Sequence, residues 1–206
     1  AGFNLLYFDM RSHGDSEGEI TTVGYLETID FEAALRYLKE SKPDCAERLG
    51  VFGFSMGAAV ASMSIPDHPE VKAALLESPF TDYRRVVRQW AWNRFRLPYF
   101  PLVMLTLLML RYRVGTSKVD SYSPRRFIAG VAPRPLLMIG GSDDALMPEF
   151  DVRALFGLAK LLDMGLACVA GAQEEGEAAE SDVKKRMAAG TPHYISPEAA
   201  RGEDID

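Results

Sequence analysis

The chain has 206 residues, 48% of them hydrophobic and 25% charged, enough for one well-filled core of a globular protein. Its net charge of −6 leaves no basic footprint for a phosphate backbone, so nucleic-acid binding is excluded as a first expectation. Cys45 and Cys168 lie far apart outside any CxxC pair and no secretory leader is expected, which predicts free thiols in a reducing, cytoplasmic compartment, no metal site and no cofactor.

In chain order, Phe3–Phe8 is a short β-rich apolar run, predicted as a strand, that ends at Asp9 and enters the turn-rich Arg11-Ser12-His13-Gly14-Asp15-Ser16-Glu17-Gly18. Because the chain opens inside this run, an N-terminal piece is expected to be missing and the strand to be an exposed edge, open to self-association. Apolar residues recur at helical spacing from Val23 to Lys39, with Thr21 or Thr22 as cap. Next come a strand over Leu49–Phe54, a helix over Met56–Ser64 and a strand near Val71–Leu76. Arg84–Tyr112 is helical, aromatic and arginine-rich, an insertion within about 82–130 that reads as a lid. Its apolar run Leu97–Leu110 holds two prolines and falls short of the roughly 20 residues a bilayer span needs, so it reads as a partly buried lid in preference to an interfacial helix. A strand over Pro135–Ile139 runs into Gly141–Pro148, and a helix covers about Glu149–Leu161. Strands alternating with helices predict an α/β fold with a parallel sheet.

Gly53-Phe54-Ser55-Met56-Gly57 sits between a strand and a helix. A serine flanked by glycines at such a junction fits a sharp turn on which a β-carbon two residues away would crowd the backbone and the hydroxyl stands out over the sheet edge. A nucleophile of this kind needs a base, a group that orients the base, and donors for an oxyanion.

Three motifs carry a family resemblance. Asp9–Gly18 resembles the D-x-R-x-H-G-x-S-x-G loop of α/β-hydrolases, Gly53–Gly57 their nucleophile elbow, and Gly141–Pro148 their G-x-x-D-x-x-x-P acid loop, all in the family's order. The resemblance covers about residues 1–158 and is to the esterase and serine-peptidase-like branch. It implies a partial α/β-hydrolase fold with a helical lid, acting on a small ester or amide by acyl-enzyme chemistry. Ser55 would be the nucleophile, the Met56 N–H one oxyanion donor, and Asp144, which fits better than Asp143, the acid. The second oxyanion donor would come from a loop after a strand missing from this chain. His13 reads as structural and His68 as solvated; His193 is the only histidine after the acid.

His193, however, lies in a segment of different character. From Lys160, Asp163-Met164-Gly165 resembles the D-F-G triplet of protein kinases, whose Asp holds Mg²⁺, Gly190-Thr191-Pro192 their substrate-facing loop, and Ser196-Pro197-Glu198 their A-P-E. The segment resembles a bacterial serine/threonine kinase activation loop, without the glycine-rich loop, lysine strand or H-R-D loop that would let Asp163 bind a metal. The chain thus reads as a composite, a truncated hydrolase domain over 1–158 and a largely irregular tail over 159–206, with residues 171–185 mobile. That account predicts an impaired hydrolase whose triad has no histidine, or alternatively a non-catalytic carrier of a regulatory, phospho-acceptor segment. The lid rings Trp90, Trp92, Phe95, Tyr99 and Phe100 favour an apolar substrate group, or else pack on the body.

Overall fold

The computed structural model of the chain describes residues 4–115, 117–142, 144–160 and 167–170. Four parallel strands, β1 (Leu49–Phe54), β2 (Val71–Glu77), β3 (Leu136–Gly140) and β4 (Ala167–Ala170), form one sheet in the order β1-β2-β3-β4. The register sets Phe54 beside Glu77 and Glu77 beside Ile139, so the carboxyl ends of the first three strands stand level. Parallel neighbours need crossovers. Here α3 (Met56–Ser64) links β1 to β2, a helical stretch from Tyr83 to Val131 links β2 to β3, and α7 (Glu149–Lys160) links β3 to β4.

Burial follows position in the sheet. β2 and β3 alternate buried and half-buried residues, as strands covered on both faces do, whereas β1 leaves Phe52 and Phe54 exposed. Residues 58–64 of α3 are all buried; alanines at 58, 59 and 61 let its axis approach the sheet closely. Ile65, Leu76, Ile128, Met138, Val152 and Leu155 fill the main core. Each such side chain contributes about 1.5–3 kcal/mol on burial. A second cluster, around Phe80, Tyr83, Val103, Leu107, Val119 and Met147, lies beneath the α4 (Tyr83–Phe95) and α5 (Met104–Val114) helices, and the half-buried Met56 packs against both clusters.

Several expectations are met to within a residue or two: β1, α3, β2, β3 and α7. Others are corrected. Residues 4–8 form no strand; they are exposed, because among the described residues no strand lies alongside to supply ladder partners, and β1 stands at the margin of the described sheet instead. The helix expected from Val23 begins later, as α1 (Glu27–Ser41). Thr22 Oγ1 does accept the Leu26 N–H at 2.7 Å, but Val23 (φ 55) and Gly24 (φ 130) are held in a loop that wraps the Glu27 carboxylate, and that loop defers the helix by a turn. Strand β4, which pairs Ala167–Ala170 with Leu137–Gly140, corrects the expectation of a largely irregular tail from residue 159 onward.

Candidate active site

The serine turn has the geometry that its sequence demands. Ser55 follows β1 directly with φ 50 and ψ −113, a conformation rare for any residue with a side chain and one that costs about 1–3 kcal/mol. Two backbone bonds hold it there: the Ser55 N–H donates to Glu77 O at 2.8 Å, and Ser55 O accepts the Ala59 N–H at 3.1 Å. A β-carbon at Gly53 would lie 2.6 Å from Gly57 O and 2.7 Å from Ala58 Cα, so only glycine lets β1 and α3 meet so tightly. The same reasoning fails at Gly57, where a β-carbon would meet nothing within 4 Å.

Serine is a favoured helix cap because its oxygen usually accepts an N–H of the first turn. Ser55 occupies that position ahead of α3, yet its side chain makes no capping bond. The hydroxyl is half-buried and uncommitted within its own turn. The first α3 ladder bond runs from Ala59, which places the N–H groups of Met56, Gly57 and Ala58 ahead of the ladder, at the positive end of the helix dipole. An uncommitted hydroxyl beside such donors suits a developing negative charge.

Asp144 also lies beyond a strand's carboxyl end, on the loop between β3 and α7. Its Oδ1 accepts the N–H groups of Leu146 and Met147, both at 2.9 Å, so the carboxylate folds its own loop. Ala145 O accepts Gln89 Nε2 at 2.7 Å and Asn93 Nδ2 at 3.3 Å, tying the loop to α4, and Met147 is buried in the second cluster. Strand β2 stands between the strands that carry Ser55 and Asp144, and no hydrogen bond joins the two side chains among the described residues. His193 and Asp163 lie outside the described residues, as does the whole 171–206 stretch.

The other histidines have partners of their own. His13 is exposed, with Nδ1 2.8 Å from Arg11 O in its own loop. His68 precedes β2, at the sheet end opposite Ser55, with Nδ1 3.3 Å from Glu70 Oε1 and its ring 5.9 Å from that of Phe31.

Two carboxylates outside the motifs shape the neighbourhood of the site, and neither stood out in the sequence. Asp30 accepts Arg11 Nε at 2.9 Å, Nη2 at 2.7 Å and the Arg11 backbone N–H at 3.0 Å, locking the Asp9–Gly18 loop to α1. Partial burial pushes the Asp30 carboxyl up, but the Arg11 bonds outweigh it and hold it below its ordinary value; the same bond raises Arg11. Within that loop Gly14 sits at φ 52, and a β-carbon there would run into the Asp9 carboxylate at 2.0 Å. Glu27 is fully buried, accepting from Thr21 Oγ1 (2.8 Å), Thr22 N (2.7 Å), Thr22 Oγ1 (2.6 Å) and Gly24 N (2.8 Å). Burial pushes its carboxyl up, and these four donors more than reverse that, so its pKa is lowered. Thr21 Oγ1 also lies 4.0 Å from the Met56 sulfur, which connects this knot to the serine turn. The signal available was a pair of threonines and a glycine just ahead of a helical glutamate.

Residues 1–100 match the X-Pro dipeptidyl-peptidase (S15) family. YfhR of Escherichia coli O157:H7, an uncharacterized protein, is 29% identical over 77% of this chain and 49% of its own length. The alpha/beta hydrolase domain-containing protein WAV2 of Arabidopsis thaliana is 26% identical over 76% of this chain and 48% of its own. The Pyrococcus furiosus esterase Pf2001 superposes with a TM-score of 0.63 at 27% identity, covering 82% of this chain and 61% of the esterase. The chain therefore spans about half the length of the curated relatives it matches. Its fold is that of the α/β-hydrolases, a parallel sheet flanked by helices, with esterase- and peptidase-like relatives. These likenesses give the kinase-like account of residues 160–206 no support.

Proposed function

We propose that the chain is the elbow-bearing part of a serine hydrolase that acts on esters or amides through an acyl-enzyme at Ser55. The observation that carries this is the Ser55 conformation: a residue held at φ 50 and ψ −113 by bonds on both sides, whose hydroxyl forgoes the cap its position offers. Strain of that kind persists only where the surroundings enforce it. In this reading the Ser55 hydroxyl attacks the carbonyl, and the Met56 N–H, first in α3, takes up part of the negative charge on the tetrahedral oxygen. Asp144 is the acid, with Oδ1 engaged by its own loop and Oδ2 left to orient an imidazole. Chain order alone makes His193, the only one of the chain's three histidines after Asp144, the candidate base, and the expectation of an impaired triad stands or falls with it.

The likeness to an esterase and to a dipeptidyl-peptidase family supports the reaction class. Nothing in the fold supports the alternative of a kinase-derived regulatory segment. A fluorophosphonate probe with a fluorescent tag, followed by peptide mapping, tests the proposal. Labelling at Ser55 that disappears in Ser55→Ala is expected; an unlabelled protein, or label elsewhere, overturns it. His193→Ala separates acylation from turnover: it abolishes hydrolysis of a p-nitrophenyl ester if His193 is the base, and leaves any residual rate unchanged if it is not.

A further inference from the structure

Helix α5 has two apolar stripes. Val103, just before it, and Leu107 are buried at 3% and 8% exposure and face the second core cluster. Leu105, Leu108, Met109 and Tyr112 recur at the i, i+3, i+4, i+7 positions of another face and are 49%, 50%, 67% and 86% exposed. A helix needs one apolar stripe to dock on its own core; the second meets no described part of the chain. Of the rings expected either to line a substrate pocket or to pack on the body, Tyr99 borders a cavity with Asp82, Arg84, Arg85 and Arg88, while Trp90, Trp92, Phe95 and Phe100 are between 50% and 70% exposed.

The charge around this face is one-sided. From Tyr83 to Val119 the chain carries eight Arg and Lys residues and no Asp or Glu, while the chain as a whole is at −6; Arg85 is paired with Asp151 at 3.0 Å. Arg94 and Arg113 are exposed on this stretch, Arg94 over the Phe95 ring at 5.2 Å. Apolar side chains interleaved with aromatic rings and long cationic ones are what the interface of an anionic bilayer takes up: the stripe enters the acyl boundary, indoles settle at headgroup depth, and guanidinium groups reach back to lipid phosphates. No helix among the described residues is long and apolar enough to cross a membrane, so such a segment would lie in the interface plane.

We propose that the α4–α5 face is a peripheral docking surface for an anionic lipid bilayer, independent of what Ser55 does. Charge decides among occupants. A second copy meeting this face through a two-fold axis would set the exposed Arg94 and Arg113 against their own copies, and an acidic, polar partner would match the arginines but leave the Leu105–Tyr112 stripe in water.

Sedimentation of the full chain with phosphatidylglycerol-containing and pure phosphatidylcholine vesicles tests this. Binding to the anionic vesicles is expected, with a blue shift of tryptophan emission, and release as salt rises from about 0.1 to 0.5 M. Leu108→Asp with Met109→Asp should weaken binding at least tenfold. Should that variant fail to fold, Arg94→Gln with Arg113→Gln, each worth about fivefold, carries the test instead. No binding to anionic vesicles, equal binding to neutral ones, or undiminished binding by a folded variant overturns the proposal. So does a wild-type dimer that Leu108→Asp with Met109→Asp turns into a monomer, since the face would then be a self-interface.

Discussion

Ser55 and Asp144 sit on equivalent crossings, each just past a strand's carboxyl end and just before a helix, yet the two turns are held by opposite means. The Ser55 turn is secured by its surroundings: Glu77 O and Ala59 N–H fix the backbone, Gly53 lets α3 press against β1, and the side chain takes no part. The Asp144 turn is secured by its own side chain, whose Oδ1 gathers Leu146 and Met147. A side chain left out of its own scaffold is free for chemistry, whereas one that also shapes its loop has less freedom to move.

The strongest test of this contrast is Ser55→Ala. If the hydroxyl carries no structural bond, probe labelling should fall by three orders of magnitude or more, equivalent to about 4 kcal/mol, while the denaturation midpoint hardly moves. Gly53→Ala should do the reverse to the scaffold, costing about 3 kcal/mol in chemical denaturation, because its β-carbon would meet backbone that cannot step aside. Removing the Glu27 anchor beneath the turn should cost about 2 kcal/mol as Glu27→Gln, and its signature is pH dependence. A carboxyl with a folded pKa below its ordinary value stabilises above the unfolded value of 4.5, and that stability is lost as pH falls from there through the folded value. Acid unfolding of the wild type should therefore be steeper below about pH 4.5 than that of Glu27→Gln. Asp144→Ala should cost about 1–2 kcal/mol by orphaning two N–H groups, a penalty for which Ser55→Ala has no counterpart. Smallest, and of opposite sign, Gly57→Ala should stabilise by about 0.5 kcal/mol, because α3 gains helix propensity where a β-carbon meets nothing.

The sequence made the serine turn legible because its chemistry is local: a glycine two residues before the serine, an apolar strand behind it and an alanine-rich helix ahead announce themselves without distant partners. β2 and β3 were legible for the same reason, as apolar runs closed by Ser-Pro and Gly-Gly. Phe3–Phe8 was misjudged because a β-rich run looks the same whether or not a neighbour lies alongside it, and strand formation depends on that neighbour. The Glu27 knot escaped because four donors converge on one buried oxygen pair through a loop conformation, Val23 at φ 55, that no spacing rule anticipates. The lid rings fit pocket or packing equally in the sequence, because which side of α4 faces the second core cluster is set by the fold and not by local spacing.

Among the described residues β1 lies at the sheet margin, which makes the backbone beneath the serine a built-in reporter. Leu49 and Ser55 donate their N–H groups inward, to Glu70 O and Glu77 O, so by the two-residue period of a strand the N–H groups of Gly50, Phe52 and Phe54 point away from β2. In deuterated solvent the two sets should part, the outward amides exchanging early and the inward ones surviving with the sheet. Anything that lays a strand along this margin would slow Gly50, Phe52 and Phe54 together, and the residue next in line is Ser55, the proposed nucleophile.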